Sequence, residues 1–292
     1  MATPEIPHLG PGEGVQSVID ALDETGAVIV EEMIGESARE AILSELAPHV
    51  AAAPEKTSGV SPETEFFYRG TRNVTGLVAK SPAFVESLLL HPLLLGVAER
   101  LLADVCSSFN LNVAQFLVRQ PDAPQQYLHR DEDVWAHLQG LLAERTPRPD
   151  VQLASVTALE EFRADGGATA VVPGSHRWGR DRQPEPQEIA YAVMPAGASV
   201  IYRGATLHGG GPNSVGAPRP GIHLSYVAGW LRTEEANILS TPPAVARTLP
   251  PRARQLVGYD IHDAIEIAGG YLGAVELADP GDLLERDELG ND

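Results

Sequence analysis

The sequence predicts a mainly β protein with flanking helices, built as a sandwich or a barrel. Between residues 111 and 231, short runs rich in Val, Phe and Thr are separated by turns of Gly, Pro and Asn, mostly without helices between them. Apolar residues with helical spacing dominate residues 1–110 and return in residues 232–292. A length of 292 residues fits one large domain or two small ones, and we expect a single domain with these three parts.

Composition and charge argue against several classes of partner. The formal net charge is −19 and the isoelectric point is about 4.8, so neither nucleic acid nor an anionic membrane is an expected partner. The single cysteine, Cys106, cannot form an internal disulfide and favours a reducing cytoplasm. The first residues show no basic segment followed by an apolar run, so no secretory signal is predicted. The longest apolar stretch, residues 88–105, is interrupted by charged residues and a proline and is not expected to span a membrane.

The first 110 residues are predicted to hold most of the helices. After an irregular arm we expect a helix at 14–25, a short buried strand at 26–31 and a helix at 37–50, with Ser37 as its N-cap. Residues 51–73 are polar and rich in Gly, Pro, Ser and Thr, and a loop of this length is typical of a lid or binding loop. Two further helices are predicted at 81–90 and 92–105, since Pro82 and Pro92 each suit a first helical turn.

The middle of the chain is predicted to form six strands. They are residues 111–119, 151–162, 168–172, 189–194, 199–203 and 221–230. Helical patterns return at 234–238, 243–247 and 251–257, and an acidic tail begins at 276. We find no internal repeat.

The strongest chemical signal is the triplet His129–Arg130–Asp131. Side chains two apart on a strand point the same way, so His129 and Asp131 can face one point. A second imidazole would complete the two-histidine, one-carboxylate set that holds non-haem Fe(II) with open positions, and His208 in a Gly-rich turn is the best candidate. The triplet alone is weak evidence, because a surface His–carboxylate pair has the same pattern.

Two further features strengthen the metal hypothesis. Arg219 lies just before the last predicted strand, where a guanidinium could bind a carboxylate through two hydrogen bonds, although an ordinary solvated arginine fits this position too. The segment DGGATAVVPGSHRW, residues 165–178, lies between the two halves of the proposed metal site.

Together these pieces resemble the phytanoyl-CoA dioxygenase family of Fe(II)/2-oxoglutarate oxygenases. The resemblance covers roughly residues 111–230, and the segment after Arg232 looks like the tail of the family's natural-product members. It implies a double-stranded β-helix, or jelly-roll, core. It also implies iron on His129, Asp131 and His208 and 2-oxoglutarate on Arg219, with Gln126 and Thr169 as further positions that touch the co-substrate.

The resemblance fits the coordination chemistry. Three protein ligands leave three of six iron positions for the keto-acid and O2, and the metal and keto-acid then carry the demanding oxidation. Because Asp131 is a carboxylate rather than Ala or Gly, no halide position opens, which favours hydroxylation, desaturation or a related oxidation over halogenation. We expect a small, largely apolar metabolite as substrate, such as a secondary metabolite, and the resemblance of the tail to the family also suggests a homodimer.

The remaining histidines and tyrosines have ordinary structural explanations. We expect His176 to form local hydrogen bonds near the metal or to cap a turn, and His137 to be exposed. His223 could face the pocket or be a core histidine, and we favour the core histidine. Tyr68 and Tyr226 could line the substrate cavity, although packing in the core is at least equally plausible for each.

Other functions share parts of this pattern. His129–Arg130–Asp131 also matches the catalytic loop of protein kinases, but no Gly-rich phosphate loop, strand lysine or D-F-G accompanies it. A zinc- or manganese-dependent hydrolase or isomerase could use the same ligands, which would leave Arg219 without a role. A non-catalytic jelly-roll protein that binds a metal or ligand without turnover remains the third alternative.

Overall fold

Two β-sheets hold the strands of the computed structural model, which describes residues 4–53, 69–262 and 271–289. The larger sheet has the order β1-β2-β8-β5-β10-β4-β3 and the smaller has the order β7-β6-β9. The strands are β1 His8–Leu9, β2 Ala27–Val30, β3 Thr71–Val74, β4 Phe109–Arg119, β5 Gln152–Ala158, β6 Thr169–Val171, β7 Ala190–Tyr191, β8 Ser199–Arg203, β9 His208–Gly210 and β10 Arg219–Ala228. The predicted mainly β class with flanking helices is therefore confirmed.

The helices lie mainly before β4 and after β10. They are α1 Val15–Thr25, α2 Glu36–Ala52, α3 Pro82–Phe84, α4 Pro92–Leu102, α5 Ala136–Ala143, α6 Asn237–Ser240, α7 Pro243–Ala246, α8 Pro251–Leu256 and α9 Pro280–Glu285, and α3 continues into a π-helix at Val85–Leu89. Short 3-10 helices occur at Leu77–Ala79, Asp131–Trp135, Ser175–Arg177 and Pro186–Glu188. Within the described ranges, each helix is too short or too polar to cross a membrane.

Both faces of the larger sheet are buried, as β2 illustrates. Val28 and Val30 belong to a core between this sheet and the helices, whereas Ala27 and Ile29 belong to a second core between the two sheets. Alternate residues of a strand point to opposite faces, so a strand covered on both sides is apolar throughout. This is why residues 27–30, within the predicted strand at 26–31, form a continuous apolar run in the sequence.

Alternation along β10 decides which of its residues reach the interior of the jelly roll. Ile222, Leu224 and Tyr226 lie in the core beneath the helices, which leaves His223 on the opposite face. The Tyr226 hydroxyl donates to the Leu89 carbonyl oxygen at 2.7 Å, and the side chain is 1% exposed. The suggestion that Tyr226 lines the substrate cavity is therefore wrong. Tyr226 is three residues from His223 on the same strand, so its side chain points to the opposite face, toward the helices.

Several local predictions differ from the structure. Helix α2 has Gly35, not Ser37, as its N-cap. Part of the predicted loop at 51–73 is strand β3, which pairs antiparallel with β4; residues 54–68, including Tyr68, lie outside the described residues. The predicted strand at 151–162 ends at Ala158 and that at 189–194 is reduced to Ala190–Tyr191.

Candidate active site

The backbone brings His129 and His208 together although they are distant in the sequence. Each donates its N–H to the carbonyl oxygen of the other at 2.9 Å, which forms an isolated antiparallel bridge at the end of β9. The ring centroids are 4.6 Å apart. Glycines permit this approach: a Cβ on Gly210 would lie 2.7 Å from Gln126 Oε1, and one on Gly211 would lie 2.2 Å from the Ala168 carbonyl oxygen. The Gly-rich turn that the sequence indicates after residue 203 thus includes a strand.

Asp131 completes a cluster of three potential metal ligands. It starts the 3-10 helix Asp131–Trp135, so it reaches His129 through a turn and not along a continuous strand. Its Oδ1 atom lies 3.4 Å from His129 Nε2 and 3.3 Å from His208 Nε2. One ligand atom from each residue lies within 4.8 Å of the other two, close enough for all three to share one ion.

The hydrogen bonds of the two Nδ1 atoms show that Nε2 is the nitrogen of each imidazole that faces the cluster. His129 Nδ1 lies 3.0 Å from the Tyr127 carbonyl oxygen, and His208 Nδ1 lies 3.0 Å from that of Thr206. A carbonyl only accepts, so Nδ1 of each ring carries a proton, and removal of a proton from Nε2 leaves a lone pair that faces Asp131. Two lone pairs and a carboxylate oxygen then converge on one point, an arrangement that a cation stabilises.

The charge state of Asp131 also suits the binding of a cation. Burial opposes ionisation of the carboxyl, but His208, followed by His129, outweighs burial, and the pKa of Asp131 lies well below its usual range. The group is therefore a carboxylate at neutral pH. This set of two imidazoles and one carboxylate fits a hexacoordinate Fe(II) with three positions left open.

A second polar region lies at the Arg219 end of β10. The Arg219 side chain is buried, with 5% exposure, and its Nε donates to the Gly167 carbonyl oxygen at 2.9 Å. The guanidinium carbon stands 4.1 Å above the Phe162 ring. Nη1 is buried and has no hydrogen-bond partner among the described residues. Burial, and then neighbouring Arg119, lower the pKa of Arg219, so its positive charge is poorly compensated.

Arg119 places a second guanidinium beside the first. It is directly opposite Arg219 in the β4–β10 register and is 1% exposed. Its Nη1 donates to Thr71 Oγ1 and its Nη2 to the Gly211 carbonyl oxygen, both at 2.9 Å. These acceptors are neutral. Within the described ranges, neither arginine forms an ion pair with a carboxylate, so this end of the cavity fits the far carboxylate of 2-oxoglutarate.

Gln126 and Thr169 border the same cavity, which has a volume of about 610 Å³ and also contains the metal-ligand cluster. Gln126 Oε1 accepts a hydrogen bond from the Gly210 N–H at 2.5 Å, and Thr169 pairs with Gly210 across β6 and β9. Both side chains therefore stand between the histidines and the arginines. The cavity is also lined by Val134, three residues after Asp131, and by Asn73, the last residue of the predicted loop at 51–73.

Two residues beside Asp131 were not assigned to the site from the sequence. His223 Nε2 lies 3.5 Å and the Tyr202 hydroxyl 3.4 Å from Asp131 Oδ2. The expectation that His223 belongs to the core is wrong, because it faces the cavity on the same side of β10 as Arg219. The even spacing of residues 219 and 223 is a signal in the sequence that could have revealed this. No comparable signal identifies Tyr202.

The other predicted histidines lie elsewhere. His176 packs against Gly26, where a Cβ would stand 2.3 Å from its Nδ1, and it is absent from the lining of the cavity. Burial, and then the charge of Arg203, lower the pKa of His176 to about 4. His137 is exposed, as expected.

This chain is similar to a known protein family and to several named relatives. The model of the family described as "Phytanoyl-CoA dioxygenase (PhyH)" matches residues 22–221. A relative named dioxygenase trt7, from Aspergillus terreus, is 29% identical over 87% of this chain and 85% of its own length. Another, named Fe(II)/2-oxoglutarate-dependent dioxygenase nvfF, from Aspergillus novofumigatus, is 28% identical over 100% of this chain and 99% of its own.

Solved structures share the fold. The epimerase SnoN in complex with Fe3+, alpha ketoglutarate and nogalamycin RO has a TM-score of 0.57 at 18% identity, over 81% of this chain and 90% of that one. HygX from Streptomyces hygroscopicus, with nickel and 2-oxoglutarate bound, has a TM-score of 0.54 at 18% identity, over 73% and 86%. These likenesses confirm the predicted jelly-roll core. Because the family model spans most of the sequence, this chain belongs to the phytanoyl-CoA dioxygenase family.

Proposed function

We propose that this enzyme, a non-haem dioxygenase dependent on Fe(II) and 2-oxoglutarate, oxidises a C–H bond of a small, largely apolar metabolite. In this proposal His129, Asp131 and His208 hold the iron and Arg219 holds the far carboxylate of 2-oxoglutarate. The observation that carries it is the convergence of two Nε2 lone pairs and Asp131 Oδ1 in the same cavity as a buried, uncompensated guanidinium. Bound iron with 2-oxoglutarate and O2 supplies the oxidising power for a C–H bond.

The positions of Arg219 and His223 on β10 set the distance between the two ends of the cavity. Arg219 and His223 are four residues apart on β10, which is ~13 Å along a strand. Since His223 stands beside Asp131, the arginine end and the metal end are separated along one wall. Gln126 and Thr169 lie between them, where they can contact the co-substrate. Arg219 thereby orients the keto-acid with one end toward the ligand cluster.

The substrate then occupies the part of the cavity beyond Asp131. Val113, Val134 and Val156 supply apolar surface there, which suits an apolar molecule. Glu234 also lines the cavity, and its Oε1 accepts a hydrogen bond from Asn112 Nδ2 at 2.7 Å. This carboxylate provides an acceptor for a hydroxyl or amine hydrogen of the substrate, so a purely hydrocarbon substrate is disfavoured.

We also propose a cytoplasmic location, a single oxygenase domain over residues 1–292 and a homodimer, with neither nucleic acid nor a membrane as partner. The acidic charge and the lone cysteine support the location and the excluded partners. Support for one domain comes from β1 and β2 of the helical N-terminal part, which join the same sheet as β8 and β5 of the core. Analytical ultracentrifugation tests the dimer.

The test is iron-dependent conversion of 2-oxoglutarate to succinate by protein purified without metal and reloaded with Fe(II). We expect succinate with Fe(II) and none with Zn(II), and the same reaction in the presence of candidate apolar metabolites should yield oxidised products. Asp131→Ala is the inactive reference. Iron binding without succinate under every condition would favour the non-catalytic binding protein, and hydrolysis or isomerisation supported by Zn(II) or Mn(II) would favour the alternative metal enzyme.

A further inference from the structure

We propose that Tyr202 and His223 are positioning residues that hold the outer oxygen of Asp131, so that this carboxylate binds the metal through Oδ1 alone. The inference rests on the proposed function, because it takes Asp131 as a metal ligand. It adds a role for two residues outside the ligand set. Its consequence is that the number of open metal positions depends on hydrogen bonds from β8 and β10.

The two oxygens of Asp131 have different surroundings. Oδ1 faces the ring nitrogens of His129 and His208, at 3.4 and 3.3 Å. Oδ2 faces the Tyr202 hydroxyl at 3.4 Å and His223 Nε2 at 3.5 Å. The carboxylate therefore already has one oxygen toward the ligand cluster and the other toward two potential donors.

Tyr202 is fixed by its position in the sheet. It lies in β8, pairs with Ala27 of β2 and Ala154 of β5, and is fully buried. Its ring centroid is 4.3 Å from that of His208. A phenol hydroxyl can donate a hydrogen bond and an ionised carboxylate oxygen only accepts one, so in this contact Tyr202 is the donor and Asp131 Oδ2 the acceptor.

His223 approaches the same oxygen from the neighbouring strand. In the sheet register it lies between Gln115 of β4 and Val156 of β5. Its ring is largely enclosed, with 12% of the side chain exposed. Contacts of 3.4 and 3.5 Å are long for hydrogen bonds, and such contacts commonly tighten when a site is loaded. A shift of a few tenths of an ångström would bring both donors into bonding range of Oδ2.

This arrangement bears on coordination because a carboxylate can bind a metal through one or both oxygens. If both oxygens bound, one of the three positions left by the protein ligands would be lost. Hydrogen bonds from Tyr202 and His223 to Oδ2 compete with its rotation toward the metal. Partners of ligating groups typically change metal affinity about 10- to 100-fold when they are removed.

The experiment compares Tyr202→Phe with Tyr226→Phe. Both changes delete one buried tyrosine hydroxyl, but the Tyr226 hydroxyl bonds the Leu89 carbonyl oxygen on the helical side of the sheet. The readouts are the dissociation constant of Co(II) by calorimetry, the visible absorption of the Co(II)-loaded protein and thermal unfolding of the metal-free protein. His223→Gln is the second variant, which keeps a donor amide but shifts its position.

We expect Tyr202→Phe to weaken Co(II) binding about tenfold and to change the intensity of the Co(II) absorption, which reports coordination number. Tyr226→Phe should lower thermal stability and leave Co(II) binding and its spectrum unchanged. His223→Gln should fall between wild type and Tyr202→Phe. Wild-type affinity and spectrum in both Tyr202→Phe and His223→Gln would overturn the inference.

The ligand assignment has a separate readout. Asp131→Ala should abolish tight Co(II) binding if Asp131 is a ligand. If Asp131→Ala binds Co(II) as wild type does, the proposed function fails at its metal site. If only Asp131→Ala is affected, the proposed function stands and the role of Tyr202 and His223 is refuted.

Discussion

Replacing Arg219 by Met should weaken the binding of 2-oxoglutarate without lowering the stability of the metal-free protein. The side chain is buried against Phe162, lies beside Arg119 and has no carboxylate partner among the described residues. Met keeps much of the volume and contacts while removing the charge. The metal-free variant should therefore unfold at a temperature equal to or above that of wild type, since a poorly compensated buried charge is removed.

Binding of 2-oxoglutarate should weaken in the same variant. A hydrogen bond to a charged group contributes about 1.5–3 kcal/mol, which corresponds to roughly a 10- to 150-fold rise in the dissociation constant. Arg119 remains and limits the loss. The assay is anaerobic calorimetry of the Co(II)-loaded protein with 2-oxoglutarate, with Arg163→Met as control, because Arg163 is exposed and pairs with Asp165. An unchanged dissociation constant would refute Arg219 as the anchor, and lower stability of the metal-free variant would refute the charge argument.

Three further predictions concern stability, each measured by chemical denaturation. Burial is the main cause that raises the pKa of Asp150 from 3.8 to about 6, so ionisation of this carboxyl destabilises the folded state by about 3 kcal/mol as the pH rises through this range. The free energy of unfolding of Asp150→Asn, relative to that of wild type, should therefore increase by about 3 kcal/mol between pH 3.8 and 6. A difference between the two proteins that does not change with pH would contradict the prediction. Gly26→Ala places a Cβ 2.3 Å from His176 Nδ1 at a φ of +79°, so we expect a loss of about 2–4 kcal/mol, and a loss below about 1 kcal/mol would oppose it. Arg148→Met leaves the buried Glu132 carboxylate without its nearest cation and should lower the free energy of unfolding by about 3 kcal/mol. Adding Glu132→Gln to Arg148→Met should restore part of this loss. Equal stability of the single and the double variant would argue against a stabilising ion pair between Arg148 and Glu132.

The sequence predicted the cluster of His129, Asp131 and His208 better than it predicted the residues beside Asp131. His129 and Asp131 are two apart, and His208 and Arg219 lie at strand ends, so their convergence follows from patterns within short segments and from a family resemblance. The orientation of Asp131 depends on Tyr202, which comes from a strand that pairs with neither the His129 segment nor β9. Only the three-dimensional arrangement of the sheets brings that hydroxyl to Oδ2.

Two errors on β10 have a single physical cause. Tyr226 was suggested as a cavity residue, with core packing at least equally plausible, and His223 was assigned to the core; the structure places Tyr226 in the core and His223 at the cavity. Strand side chains alternate, so residues 219 and 223 share one face while residue 226 lies on the other. Taking Arg219 as facing the site would have been enough to assign both residues. Strand β9 was missed for a different reason: glycines have low strand propensity, and here close backbone contacts require them.

The fold was predictable where burial leaves a pattern. Runs such as residues 27–30 and 200–202 are apolar because both faces of their strands are covered. Strand β3 was hidden because Thr71, Arg72 and Asn73 are polar; it lies at the edge of the larger sheet, and Thr71 and Asn73 face the cavity. Polar residues at a functional site thus concealed a strand from a pattern based on hydrophobicity.

The most direct test of the metal site is an anaerobic titration of the metal-free protein with Fe(II) in the presence of 2-oxoglutarate. The measured signal is the visible charge-transfer absorption that arises only when the keto-acid chelates protein-bound Fe(II). We expect one equivalent of iron to saturate this signal in wild type and in His137→Ala, whose histidine is exposed. His208→Ala should give no such absorption. A full signal in His208→Ala would contradict the convergence of His129, Asp131 and His208 on a single iron.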